Sequence, residues 1–208
     1  MADKPTLTTT GGAPVPVALV GRVKAAFDCR FTITYGQTET SGPATQTSPG
    51  DADPDQAETL GRPLPWVEVK IVDPLDGGTL PFDTQGEICF RGPLLMDSYF
   101  DRPEATATTI DADGWLHTGD LGTLDERGFL RITGRSKDMI VRGGEKIYPR
   151  ELENLLFEFP GVLDVAVVGI PDERWGERVA AFVRTAGGAP LPEKDLVAFC
   201  HERMARYK

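Results

Sequence analysis

Three glycine-rich polar segments interrupt the hydrophobic patterning of this chain and fix where its regular elements can start and stop. They are YGQTETSG at residues 35–42, GWLHTGDLG at 114–122 and GRSKDMIVRGGEKIYPRELE at 134–151. Glycine admits backbone conformations closed to other residues and lets a ligand approach the main chain closely. Each segment mixes its glycines with hydroxyls, carboxylates or a guanidinium, which are groups that hold nucleotide, metal or ribose.

Between these segments the periodicity changes twice. Residues 6–10 read as a strand ending in the turn Gly11, Gly12, Ala13, Pro14. Leu19, Val23, Ala26 and Phe27 then recur at helical spacing and predict a helix over 17–29 with one apolar stripe. Residues 31–34 predict a β-branched strand running into a turn at Tyr35 and Gly36. Strand, helix, strand is an α/β unit. From 61 to 133 the pattern is of short strands. Val67, Val69 and Ile71 alternate with Glu68 and Lys70, Ile88 and Phe90 alternate with Glu87 and Cys89, and Asp76, Gly77 and Gly78 mark a turn. A small barrel-like sheet is expected, with a short helix from Pro103 and a further strand at 129–132.

After Gly134 a helix opening at Pro149 would place Leu152, Leu155, Leu156 and Phe159 on one face. Strands at 165–170 and 179–183 follow, then a glycine- and proline-containing break at 187–190 and a last helix carrying Leu196, Phe199, Cys200 and Met204. The fold expected is α/β and α+β, with a larger domain over 1–136 and a small α+β domain over 137–208.

Composition narrows the function. Of the formal charge of −10, residues 1–136 carry nearly all, with 11 basic and 20 acidic groups. No basic face for nucleic acid results. No apolar run approaches the ~20 residues that span a bilayer, and residues 1–12 lack a signal-peptide pattern, so a cytoplasmic location is expected. Acidic residues at 51–58 read as a solvated loop, since their spacing matches no EF-hand. Cys29, Cys89 and Cys200 are odd in number and far apart. They suit a reducing compartment and read as small core residues, with no activating neighbour in sequence.

The three segments together resemble the adenylate-forming superfamily of acyl-CoA synthetases, aryl-CoA ligases, luciferases and peptide-synthetase adenylation domains. The resemblance covers nearly the whole chain, read as the end of the family's large domain, an α/β unit plus a small distorted β-barrel, followed by most of its small domain. It implies that a carboxylic acid is activated by ATP to acyl-AMP and passed to the thiol of coenzyme A, with Mg²⁺ assisting. The family's phosphate loop is expected upstream of Met1, and its late lysine beyond Lys208.

The resemblance also implies roles. Nucleotide would be held by Gly12, Ala13 and Pro14 in an adenine-binding turn, by Tyr35, Gly36, Gln37 and Thr38, and by Asp120, Ile132 and Arg135. Tyr35 would stack on adenine, Thr38 would meet an α-phosphate oxygen, Glu39 would ligate Mg²⁺, and Asp120 would accept the ribose hydroxyls. Lys137 would be the hinge of a domain rotation, and Gly143 and Gly144 would lie on the thiolation loop, where Val141 replaces a lysine common in relatives. His117 and Trp115 read as structural. The run Arg142 to Pro149 favours acyl- or aryl-CoA ligases, and Thr40 and Ser41 favour a medium- or long-chain fatty acid. Two alternatives stay open: a non-catalytic chain that binds nucleotide weakly, and an enzyme that loads a carrier protein.

Overall fold

The computed structural model describes residues 7–12, 15, 17–185 and 191–205. The chain forms two compact units, Met1–Ile132 and Thr133–Lys208.

In the first unit β1 (Leu7–Gly11) pairs in parallel with β2 (Arg30–Gln37), the two joined through α1 (Val17–Phe27). This is the expected α/β unit, with two corrections. The strand does not stop at a turn after Thr34: β2 runs through Tyr35 and Gly36 because β3 (Gly42–Gln46) pairs back on it antiparallel, with a register shift between those two residues. That shift requires Gly36, since a Cβ there would lie 1.9 Å from the Gly42 carbonyl oxygen. The helix stripe is also displaced. Val20 is buried and Val23 half-buried over Phe31 and Ile33, whereas Leu19 and Phe27 are exposed. Apolar residues lie on more than one face of α1, so periodicity alone does not choose the buried one. The partner chooses it: Lys24 is tied to Asp53 (2.7 Å) and Gln56 (2.5 Å) of α2 (Asp53–Glu58).

That second helix replaces the expected solvated loop. Asp55 is buried and receives both terminal nitrogens of Arg127, each at 2.9 Å. A partner 72 residues away is invisible to local composition. Beyond α2, β4 (Arg62–Pro63) completes the first sheet in the order β1-β2-β3-β4.

The second sheet comprises β5 (Glu68–Val72), β6 (Gly86–Arg91), β7 (Leu116–Leu124) and β8 (Leu130–Arg135) in sequential order, with α3 (Pro103–Thr109) before β7. Its strands meet the expectation of a small sheet, but it stays open. Edge strands β5 and β8 do not pair, so the sheet does not close on itself. The free edge of β8 instead exchanges backbone hydrogen bonds with Leu60 and Gly61 (2.7 and 2.9 Å), linking the two sheets. Ile71, Ile88, Phe90, Leu124, Leu130 and Ala44 form the core between them.

The second unit is a four-stranded sheet in the order β10-β9-β12-β11, from β9 (Ile140–Arg142), β10 (Glu145–Ile147), β11 (Val162–Asp172) and β12 (Gly176–Thr185). Helix α4 (Pro149–Phe157) starts at its proline as expected and buries Leu152 and Leu156 against Ile140, Ile147, Val165 and Val167. Leu196, Cys200 and Met204 of α5 (Glu193–Arg203) and its end pack on the same core, and Phe199 meets Phe159 edge-on at 5.2 Å. The break expected at 187–190 lies outside the described residues.

Candidate active site

The site is built from the outer end of β2 and the middle of β7. A turn of 3-10 helix (Thr38–Thr40) caps β2, closed by reciprocal bonds between Gln37 and Thr40: the Gln37 N–H donates to Thr40 Oγ1 (2.9 Å), which donates to the Gln37 carbonyl. The turn ends at Ser41 with φ of 53°. This holds the Gln37 side chain toward β7, where its amide nitrogen donates to the Thr118 carbonyl (2.9 Å) and to Asp120 Oδ2 (3.0 Å). Tyr35 Oη donates to the same Asp120 oxygen at 2.7 Å.

Asp120 is 4% exposed, so its carboxylate is desolvated and oriented by neighbours rather than by water. Thr118 fixes the approach to it, donating from Oγ1 to the Ile88 carbonyl (2.7 Å) and receiving the Asp120 N–H (3.1 Å). Tyr35, Gln37 and Asp120, 85 residues apart at the extremes, are thus one hydrogen-bonded group. The Tyr35 ring lies 5.9 Å from that of Phe90 at a 45° tilt.

Thr38 is exposed at the head of the 3-10 turn, and Glu39 beside it is half-buried. Glu39 Oε1 accepts from Tyr99 Oη at 2.7 Å, and the Glu39 carbonyl accepts from the Met96 N–H. That carboxylate, ahead of desolvation, raises the Tyr99 pKa above the ordinary phenol value, so Tyr99 remains a donor at neutral pH. Tyr99 lies 60 residues from Glu39 and belongs to no glycine-rich segment, which is why sequence reading missed it.

Gly12 stands exposed with φ of 78°, while Ala13 and Pro14 lie outside the described residues. Ile132 is half-buried on β8. In the second unit Arg135 ends β8, and Lys137 is exposed in a 3-10 turn (Ser136–Asp138). Gly143 and Gly144 make the β9–β10 turn with φ of 59° and 89°. A Cβ on Gly143 would sit 2.8 Å from the Trp175 ring, and its N–H donates to the Trp175 carbonyl. Arg142 and Arg174 hold their guanidinium carbons 5.3 and 4.8 Å from that ring.

Trp115 packs as expected, its ring under Lys70 (4.4 Å) and Arg91 (4.5 Å). His117 Nδ1 lies 2.9 Å from Glu87 Oε2, and its Nε2 is 3.6 Å from Asp111 Oδ2. Cys89 is a buried core residue as expected, but it has a neighbour the sequence does not show, its sulfur lying 3.5 Å from His117 Nδ1. Pairing of β6 with β7 sets Cys89 opposite His117, a relation only strand register reveals.

An oriented, buried carboxylate beside a tyrosine thus adjoins a second carboxylate, that of Glu39, on the neighbouring turn. The sequence pattern of AMP-binding enzymes matches residues 2–100, and that of the AMP-binding enzyme C-terminal domain matches residues 151–208. The chain belongs to this adenylate-forming family, on its acyl-CoA synthetase branch.

Among its relatives is a CoA ligase of Rhodococcus jostii named for a bicyclic dioxo-octahydro-indenyl propanoyl group, 49% identical over 96% of this chain and 36% of its own length. The fatty acid–acyl-carrier-protein ligase ScoC of Streptomyces coeruleorubidus is 42% identical over 97% of this chain and 39% of its own. The structure of ATP-bound MatB from Rhodopseudomonas palustris superposes with a TM-score of 0.87 at 33% identity, covering 97% of this chain and 40% of that one. The chain thus spans under two fifths of the length of these curated relatives. No helix among the described residues is long and apolar enough to cross a membrane.

Proposed function

We propose that this chain supplies the ribose- and metal-reading part of an ATP-dependent acid–thiol ligase acting in the cytoplasm, where its unpaired cysteines suit a reducing compartment. The observation that carries the reading is the Asp120 carboxylate, held by Tyr35 and Gln37 on one oxygen. A carboxylate accepts from both vicinal hydroxyls of a ribose. Gln37 fixes its orientation, Tyr35 offers its ring to stack on adenine, and Thr38 offers a hydroxyl to the α-phosphate. Gly12, Ala13, Pro14, Gly36, Ile132 and Arg135 complete the proposed nucleotide contacts.

Glu39 fits the Mg²⁺ expected with ATP, being a hard oxygen donor already held in place by Tyr99. When bound, that ion neutralises phosphate charge. The chain's own task is positioning. The acid's carboxylate oxygen attacks the α-phosphorus, pyrophosphate leaves, and the thiol sulfur of coenzyme A then displaces AMP from the acyl carbon. We assign the pivot between the two half-reactions to Lys137, with the domain boundary at 136/137, and the pantetheine path to the turn of Gly143 and Gly144, where Gly144 faces open space and Trp175 lies against Gly143.

The acid we favour is a medium- or long-chain fatty acid, supported by Thr40 and Ser41 after Glu39 and by the name of ScoC. The same relative supports a second acceptor, the thiol of a carrier protein.

The test is made at full enzyme length. Glu39→Ala is expected to abolish pyrophosphate release, and unchanged release would refute the metal assignment. Lys137→Pro, which restricts φ, is expected to leave pyrophosphate release intact and slow thioester formation; equal loss of both would remove the pivot. Comparing coenzyme A with a phosphopantetheinylated carrier as acceptor separates the two thiol readings.

A further inference from the structure

Glu87, Cys89 and His117 belong to no part of the nucleotide reading, yet each presents a ligand atom to the same point. One ligand atom from each of the three lies within 4.8 Å of the other two, and His117 Nδ1 is 2.9 Å from Glu87 Oε2 and 3.5 Å from Cys89 Sγ. A tetrahedral zinc ion, with bonds of ~2.3 Å to sulfur and ~2.0 Å to nitrogen, needs an N···S edge of about 3.5 Å and an N···O edge of about 3.3 Å. The first edge is already present, and the second requires the carboxylate to swing out by a few tenths of an ångström. Asp111 Oδ2 lies 3.6 Å from His117 Nε2, on the far side of the ring, where a carboxylate orients a metal-ligating histidine.

We infer that Glu87, Cys89 and His117 form a binding site for a thiophilic divalent cation of the zinc type, with Asp111 orienting His117 and the fourth position left to water.

The groups are fixed by elements of different origin, which makes the geometry a property of the fold. Glu87 and Cys89 flank a register shift on β6, and His117 pairs opposite Cys89 on β7. Glu87 Oε1 is held by the Gly119 N–H (2.9 Å), leaving Oε2 aimed at the histidine. Cys89 is fully buried, whereas His117 and Asp111 side chains are 28% and 32% exposed, so an ion enters from their side.

The protons balance. Cys89 gives its thiol proton to solvent as the sulfur–metal bond forms, and His117 offers the Nδ1 lone pair with its ring proton on Nε2, facing Asp111. A soft sulfur ligand selects zinc over a hard cation such as Mg²⁺. Two carboxylates and a thiolate outweigh the nearby Lys70 charge and match a dication.

The experiment titrates the reduced 208-residue chain with Zn²⁺ against a chromophoric chelator, and with Co²⁺ as a spectroscopic probe. One equivalent of Zn²⁺ is expected, with a thiolate-to-cobalt charge-transfer band. Cys89→Ser should remove the band while Cys29→Ser and Cys200→Ser keep it. Asp111→Asn should weaken Zn²⁺ about 10- to 100-fold, as loss of an orienting partner does. Because a buried serine can perturb folding, His117→Asn and Glu87→Gln are measured as well, each with circular dichroism to confirm a native fold. Folded wild-type chain that shows no cobalt–thiolate band, or a band that survives Cys89→Ser and disappears with Cys29 or Cys200, overturns the site. So does Zn²⁺ affinity unchanged in folded His117→Asn.

Discussion

At the scale of single residues, the carboxylates of this chain are sorted by their partners. Asp125 illustrates this. Desolvation pushes its pKa up, but the N–H of Phe129 (2.8 Å), the Arg127 guanidinium (2.9 Å) and the Arg127 N–H outweigh it and hold the acid below its usual range. A carboxyl depressed in the folded state stabilises above its unfolded pKa of about 3.9 and loses that contribution as pH falls through the folded value. Acid titration of the folded chain is therefore expected to show a stability loss below about pH 4 that Asp125→Asn flattens. An identical acid limb in the variant would count against this account.

The sequence motifs single out Tyr35, Glu39 and Asp120 as candidates. What stayed hidden were their partners. Gln37 appears in the motif, but nothing local says that its amide reaches Asp120, and nothing marks Tyr99 as the donor to Glu39. Such contacts are long-range products of strand register.

At the scale of elements, β2 and β3 form the support of the site, and Gly36 is the position on which they depend. Gly36→Ala would drive a Cβ into the Gly42 carbonyl (1.9 Å) and the Ala44 nitrogen (2.9 Å), both backbone atoms that cannot rotate away. The expected cost is ~1–3 kcal/mol in chemical denaturation, with displaced β2 amide shifts. A variant as stable as wild type would show that the register shift is plastic.

Elements with clean patterning were readable from the chain itself. Helix α4 begins at Pro149 and buries Leu152 and Leu156, and β5 and β6 follow their alternation. Two failures have one cause. The buried face of α1 and the existence of α2 depend on contacts between them and on the Asp55–Arg127 pair, none of which a sequence window contains. The nine-residue strand β7 shows no alternation in sequence, because its glycines and polar residues mask the period of two.

At the scale of the whole molecule, the two units close their cores separately. Every member of the core built on Leu156 comes from between Ile140 and Met204, and every member of the other two clusters precedes Arg131. Leu156→Ala should therefore cost ~2–5 kcal/mol within the second unit. Hydrogen exchange is expected to show lost amide protection across residues 133–205 with the β2 and β7 amides unchanged. Uniform loss across the chain would mean that the units fold as one. The open second sheet, in place of the expected barrel, is decided by strand pairing at its edges, which no sequence window contains.

The central claim is that Asp120, held by Tyr35 and Gln37, reads a ribose. Calorimetric titration of this chain with AMP tests it most directly, comparing wild type with Asp120→Ala and a folded Cys29→Ser control. Saturable binding at one site, lost in Asp120→Ala and kept in the control, is the predicted result. AMP binding of equal affinity in a folded Asp120→Ala variant would contradict it.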